Sequence, residues 1–485
     1  MAKKEQLRDL VVILPGILGS VLQKDGKDLW SVGRGARIIG TCLTGLNFAD
    51  LNQLKLEGDD PTLDDLGDGI KASRLITVPH WIAGLSKIDG YIPLGGLITD
   101  HFQVIKGDIN GDSPGNFFEF PYDWRRDNRV AARQLQRFIE KHLQLWREYS
   151  GANDAKVILL AHSMGGLVAR HYLEVLKGWQ DCRALITFGT PYRGSVKAAN
   201  FLANGYKQMF LELTEVIRSF TSIYQLLPIY EMVKVGGRYQ RISETGQIPN
   251  LDQMRAAQAL AFHREIEAAV NTHLKDVQYL QAGYKTIPIV GVRQDTLQSA
   301  ELSNGRFTVD YPLPDNIEPF LGDGDGTVPR ISAIPIELDK EFRETYLAEQ
   351  HSYLQSSIHV LDNLRERLKQ MQVTHKPIRG SELNQKASGQ AAINLNLDDL
   401  YLRTEPVMIR AKLLNVQENP SALTATITSV DKDENPIKVE LVLQGHQYLA
   451  AIDSLESGIY RVSVQSRMQG PSDPLPVHDL FEVVD

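Results

Sequence analysis

The chain has 485 residues, of which 42% are hydrophobic and 23% charged. These are the proportions of an ordinary globular protein, and they exclude a disordered chain, a coiled coil and a collagen-like fibre. The formal charge of −8 argues against a nucleic-acid binder, because phosphates call for a basic face. Two cysteines, Cys42 and Cys182, are too few for a disulfide framework or a metal cluster, and no cofactor or metal is expected.

An apolar run from Leu10 to Leu22 follows Lys3 and Lys4 and resembles a signal peptide. Asp9 interrupts the basic lead-in, Pro15-Gly16 breaks the run, and no small-x-small cleavage site follows. The expected location is therefore cytoplasmic, with peripheral membrane contact left open. Within the run, Val11 to Leu14 suits a central strand, and the strand ends in Leu14-Pro-Gly-Ile-Leu-Gly-Ser20. Further on, Val78 to Leu85 is apolar and loop-like. Asp127 can cap a long helix in which Leu135, Phe138, Ile139, His142 and Trp146 recur at helical spacing.

Lys156 to Leu160 reads as a buried strand and Leu167 to Leu176 as a helix. Leu185 to Phe188 and Ile287 to Val292 are further strands. This alternation implies an α/β architecture with a mostly parallel sheet. Residues from about 196 to 281 interrupt the rhythm, and an insertion of that size suits a helical cap or lid. Its apolar stretch, Ile223 to Met232, fits a greasy substrate, but it equally fits simple packing of the cap. Residues 373–392 are polar with scattered Pro and Gly, as in a linker. Residues 393–485 change to period two, in runs such as Leu423 to Val430, Ile437 to Leu443 and Gly458 to Val464. They predict a small all-β, sandwich-like domain that docks a protein partner or the cap. The α/β part then covers residues 1–372.

The sharpest chemical signal is the strand running into Ala161-His-Ser-Met-Gly165 and straight on into a helix, which is a nucleophile elbow. The turn is tight enough to strain the serine backbone, so its flanks must be small. Gly165 meets that need, and Ala161 is a mild departure from the usual glycine. The helix amino end then faces a developing oxyanion. Ser163 is the candidate nucleophile. His162 is adjacent in sequence and points elsewhere, as a packing or hydrogen-bonding residue.

An activated serine needs a base, and the base needs an orienting carboxylate. These follow the serine in the order acid, then histidine. Asp325, in the Gly322-Asp-Gly-Asp-Gly-Thr-Val328 loop, is the first candidate acid and Asp323 the alternative. Alternating Asp and Gly also suits a calcium loop, but further liganding positions are not evident. His351 is the candidate base, expected to open the last helix of the domain. His359 lies on that helix as a structural residue. One oxyanion amide falls to Met164, and the other to Leu18 or, second, Ile17 in the loop after the first strand.

Together these residues resemble the lecithin:cholesterol acyltransferase family. The resemblance rests on Val11 to Gly19, Phe120-Pro-Tyr-Asp-Trp-Arg125, the elbow, Phe188-Gly-Thr-Pro-Tyr-Arg-Gly-Ser195, Gly324-Asp-Gly-Thr-Val328 and Gln350-His351, spread over roughly residues 9–365. It implies an α/β-hydrolase fold with a lid, and a serine-dependent hydrolase or acyltransferase acting on lipid acyl esters. It carries over Ser163 as nucleophile, Asp325 as acid, His351 as base, and Leu18 and Met164 as oxyanion donors. A thioesterase or amidase using the same three residues, or an inactive binding protein on the same fold, stays open. The β-rich tail is no part of the family pattern.

Overall fold

The computed structural model describes residues 4–30, 52–77, 79–82, 85–205, 211–338, 345–373, 391–416, 420, 422–430, 432, 434–466 and 473–484. Cys42 and most of the expected linker lie outside them.

Six strands form the central sheet: β1 (Leu10–Leu14), β2 (Phe117–Glu119), β3 (Val157–His162), β4 (Cys182–Phe188), β5 (Lys285–Gly291) and β6 (Tyr346–Leu347). Their order is β6-β5-β4-β3-β1-β2, and every pairing is parallel. β1 and β3 are buried along their whole length. Helices cover both faces of such a sheet, which is why these strands read as unbroken apolar runs. Helix α1 (Ile92–His101) precedes β2, and helix α2 (Asn128–Ser150) follows it. Asp127 accepts the Arg129 amide at 2.8 Å and caps α2, and Gly151 (φ 71°) ends it in the left-handed region. The stripe from Leu135 to Trp146 is buried as its spacing predicts.

Several expectations change in three dimensions. Helix α3 (Gly165–Arg170) does not run on to residue 176 as a regular helix; it widens into a π turn over His171–Val175. At that turn the buried Glu174 accepts Arg170 Nη1 (3.1 Å), His273 Nδ1 (3.0 Å) and Tyr279 Oη (3.2 Å), so the local geometry serves long-range polar partners. The insertion is not purely helical. It holds α4 (Val196–Asn204) and the long α5 (Gln253–His273), but also a hairpin, Val233–Val235 with Arg238–Gln240. That hairpin joins Ser299–Ser303 and Arg306–Asp310 in a four-stranded sheet. The stretch expected to be a loop at 78–85 instead contributes His80–Ile82 to a hairpin with Ser86–Ile88; residues 78, 83 and 84 lie outside the described set. The last helix, α6, spans Ile358–Val373. It therefore starts after His351, which sits in a turn, and His359 lies exposed on its first turn.

The tail forms eight strands: β7 (Ala392–Asn396), β8 (Leu400–Leu402), β9 (Val407–Leu414), β10 (Ala422–Ser429), β11 (Ile437–Gln444), β12 (Gln447–Ile452), β13 (Gly458–Ser466) and β14 (Val477–Val484). They are hydrogen-bonded in one continuous order, β7-β9-β12-β11-β10-β13-β14-β8, and not as two separate sheets. β7 and β8 are consecutive in the chain yet occupy opposite edges. The short connection between them forces the twisted sheet to curl back on itself. Its interior (Ile409, Leu423, Ile427, Val462, Phe481) packs as an apolar cluster separate from that of the α/β part.

Candidate active site

Ser163 stands at the carboxyl end of β3, in the middle of the parallel sheet, where loops from both faces converge. Its φ of 50° is the strained conformation the elbow demands. Phe188 O accepts the Ser163 amide (2.9 Å), and Ser163 O receives Thr190 Oγ1 (2.9 Å) and Gly166 N (3.0 Å). A side chain at 165 would collide with the backbone at Pro15, and one at 166 with Thr190. Ala161, fully buried and paired with Leu14 and Thr187, has room for its methyl.

His351 Nε2 lies 3.0 Å from Ser163 Oγ, and His351 Nδ1 lies 2.8 Å from Asp325 Oδ2. The other carboxylate oxygen of Asp325 accepts the amides of Val328 (2.6 Å) and Thr327 (3.0 Å). The His351 amide donates to Asp325 O at 2.8 Å, so backbone and side chain both tie the histidine to the acid. All three residues are nearly buried, at 5% exposure for Ser163, 2% for His351 and 0% for Asp325. In such surroundings a hydrogen-bonded charge acts far more strongly than in water. Asp323, the alternative acid, turns its Oδ1 to the amides of Arg293 and Gly324, both at 2.7 Å. Burial raises its carboxyl.

The loop after β1 lies against the elbow: a side chain at Gly16 would press on Ser163 Cβ. Leu18 takes a φ of 67°, with its carbonyl held by Trp30 Nε1 at 3.1 Å. Ile17 is buried beside it. Met164 precedes α3, where helix geometry leaves backbone amides without carbonyl partners.

Tyr91 was silent in the sequence. Its hydroxyl accepts the Gly16 amide (2.8 Å) and sits 3.0 Å from His162 Nδ1, bracing the two loops that flank Ser163. Burial, and then His351 nearby, hold the His162 imidazole well below its ordinary pKa. His162 is thus a neutral hydrogen-bonding residue. Gly189 was visible only as part of a motif. A side chain there would clash with His351 Nδ1 and Asp325 Oδ2. Among the described residues no group of three or more His, Cys, Asp or Glu could hold a metal ion, and no helix is long and apolar enough to cross a membrane. Cys182 is free and buried.

Residues 108–282 match the family model of lecithin:cholesterol acyltransferase. The resemblance to that family holds over this stretch. It contains the Phe120–Arg125 block and the elbow, and it ends before Asp325 and His351. Over 91 residues the chain is 35% identical to rat phosphatidylcholine-sterol acyltransferase, an alignment covering 18% of this chain and 20% of that one. Over 243 residues it is 24% identical to lecithin-cholesterol acyltransferase-like 4 of Arabidopsis thaliana, covering 45% and 42%. The chain thus spans less than half the length of these curated relatives. A solved Bacillus licheniformis lipase in its propeptide form aligns over 98% of this chain and 93% of its own, at 10% identity and a TM-score of 0.29. The expected cytoplasmic location is corrected by the relatives: the matching phosphatidylcholine-sterol acyltransferases point away from it.

Proposed function

We propose that this protein is a serine-dependent lipid acyl-ester hydrolase or acyltransferase with an α/β-hydrolase body (residues 1–372, insertion at about 196–281) and a separate C-terminal β unit (residues 393–485). The reading rests above all on the chain of two hydrogen bonds, Ser163 Oγ to His351 Nε2 at 3.0 Å and His351 Nδ1 to Asp325 Oδ2 at 2.8 Å. The family match supports a lipid substrate.

Ser163 Oγ attacks the acyl carbonyl carbon while its proton passes to His351 Nε2. The carbonyl oxygen becomes an oxyanion, held by the amides of Met164 and Leu18. Asp325 keeps the imidazole in the tautomer that presents a free Nε2 and stabilises the imidazolium. Collapse breaks the ester bond, and the imidazolium proton leaves with the alcohol. Water, or a second alcohol, deprotonated by the same imidazole, then attacks the acyl-serine and restores Ser163. Hydrolysis and transfer differ only in which acceptor reaches that intermediate.

The test uses a fluorophosphonate probe and mixed phospholipid liposomes, with and without a long-chain alcohol. Wild type should label at Ser163 and release fatty acid, or form a new ester when the alcohol is present. Ser163→Ala should do neither while keeping its circular dichroism. Undiminished ester cleavage by that variant would overturn the reading, and turnover confined to thioesters or amides would redirect it.

A further inference from the structure

The two halves of the molecule have separate apolar cores, and between them runs a seam of polar contacts. That seam runs along the loops carrying Asp325 and His351. On the base side, the buried Glu349, two residues before His351, accepts the backbone amide of His478 on Oε1 and lies beside His478 Nδ1 on Oε2, each at 2.9 Å. The His478 ring stacks on Tyr353 at 4.2 Å between centroids. On the acid side, the Gln294 amide donates to Gly324 O at 3.0 Å. The Gln294 side chain bonds Ile393 O and the Leu395 amide on β7, both at 3.0 Å. Gln350, next to His351, joins the two sides through Leu395 O (3.0 Å) and Gln294 Oε1 (3.1 Å).

We infer that the C-terminal β unit is a positioning clamp for the proposed catalytic pair: β7 fixes the acid loop through Gln294, and β14 fixes the base loop through Glu349. The inference rests on the serine-enzyme reading above. Three features support it. First, His351 belongs to no helix or strand; it lies in the turn after β6, so its place depends on what grips that turn. Second, the grip is specific. A buried carboxylate accepts the backbone amide and faces the ring nitrogen of one residue of the tail, and a side-chain amide closes a ring of bonds with the β7 backbone. Third, the docking beyond it is firm. Lys87 of the body meets Asp399 (2.8 Å) and Asp479 (2.9 Å) of the tail, and Arg461 of the tail meets Asp89 at 2.6 Å. Asp89 in turn donates its amide to Ser352 O, immediately after the base. A displacement near 1 Å at a reacting group costs up to about a hundredfold in rate, so a loosened clamp is read in turnover.

The experiment uses the full chain, a soluble chromogenic ester, and active-site titration with a fluorophosphonate, so that kcat is expressed per reactive serine. Glu349→Ala is expected to lower kcat tenfold or more with KM within twofold. Glu349→Gln, whose side-chain oxygen still accepts the His478 amide, should recover most of the loss. Gln350→Ala, at a half-buried site that leaves no charge stranded, should lower kcat in the same sense, and it decides the question if Glu349→Ala does not fold. The clamp is overturned if kcat per titrated serine stays within twofold in the folded variants, if only KM moves, or if Glu349→Gln rescues nothing. If wild type itself fails to react with the probe, the serine-enzyme reading has failed, which is a different result from these.

Discussion

In the central sheet, β1 and β3 bury every residue, whereas in the C-terminal sheet β9 and β10 alternate buried with half-exposed positions. The first pattern belongs to a sheet covered on both faces, the second to a sheet with one face inward. The consequence reaches beyond packing. Parallel strands bring all their carboxyl ends to one edge, so β3, β5 and β6 deliver Ser163 and the loops around Asp325 and His351 to a single place. The curled, mostly antiparallel sheet gathers no such edge. It offers strand ends and side chains that grip a neighbour, and the neighbour it grips is that loop cluster.

The contrast between a body proposed to carry the chemistry and a tail proposed to hold it can be broken at different points. The largest effect is expected at Asp325→Asn. Removing the carboxylate disturbs the tautomer and leaves a nascent imidazolium unpaired, so kcat for ester cleavage should fall about 10³–10⁴-fold. The urea unfolding transition should stay where it is in wild type. A variant that keeps a tenth of wild-type activity would remove Asp325 from its proposed role.

Next comes the seam. Lys87 is held charged, since the pull of Asp399 and Asp479 outweighs the burial that would lower its pKa. Lys87→Met removes the cation that faces Asp399 and Asp479 at the interface and should cost about 3–5 kcal/mol of docking stability. The expected signature in a urea titration is two transitions where wild type shows one. A single unshifted transition would mean that the two units are not energetically joined there.

The smallest effect is acid sensitivity confined to the body. Burial holds His263 and His171 down to about 4. The unfolded chain binds these protons near pH 6.5 and the folded chain only near 4. Their stabilising contribution is therefore complete above about pH 6.5 and is lost as pH falls from there toward 4. For His263, whose Nε2 lies 2.8 Å from Gln225 O, the loss at pH 5 is on the order of 2 kcal/mol. Stability measured between pH 7 and 5 should fall less steeply in His263→Gln. An unchanged slope would assign the acid sensitivity elsewhere.

Much of this organisation was legible before any fold was considered. The buried strands and the alternating tail strands appear within three residues of their expected limits, and helix α2 starts at its expected cap. Of Ser163, Asp325 and His351, chosen from turn chemistry and chain order, the histidine lies within hydrogen-bond distance of both the serine and the acid. Tyr91, Glu349 and His478 gave no signal, because each is a single polar residue whose partner is distant in the chain. The helix expected at His351 is a turn, and the insertion carries a hairpin that pairs with strands beyond it. Such pairings depend on edges that exist only once the sheet is built.

What the amino-acid order settled by itself is local: apolar runs that become covered strands, a small-residue turn that bends the chain at Ser163, and a period-two pattern that makes a one-sided sheet. These follow from sterics and burial within a few residues. What only the assembled molecule decided is which surfaces meet. The curl of the tail comes from β7 and β8 occupying opposite edges, and the contact of Glu349 with His478 joins positions 129 residues apart. No short window of sequence contains both partners of such a contact, and so only packing could choose them.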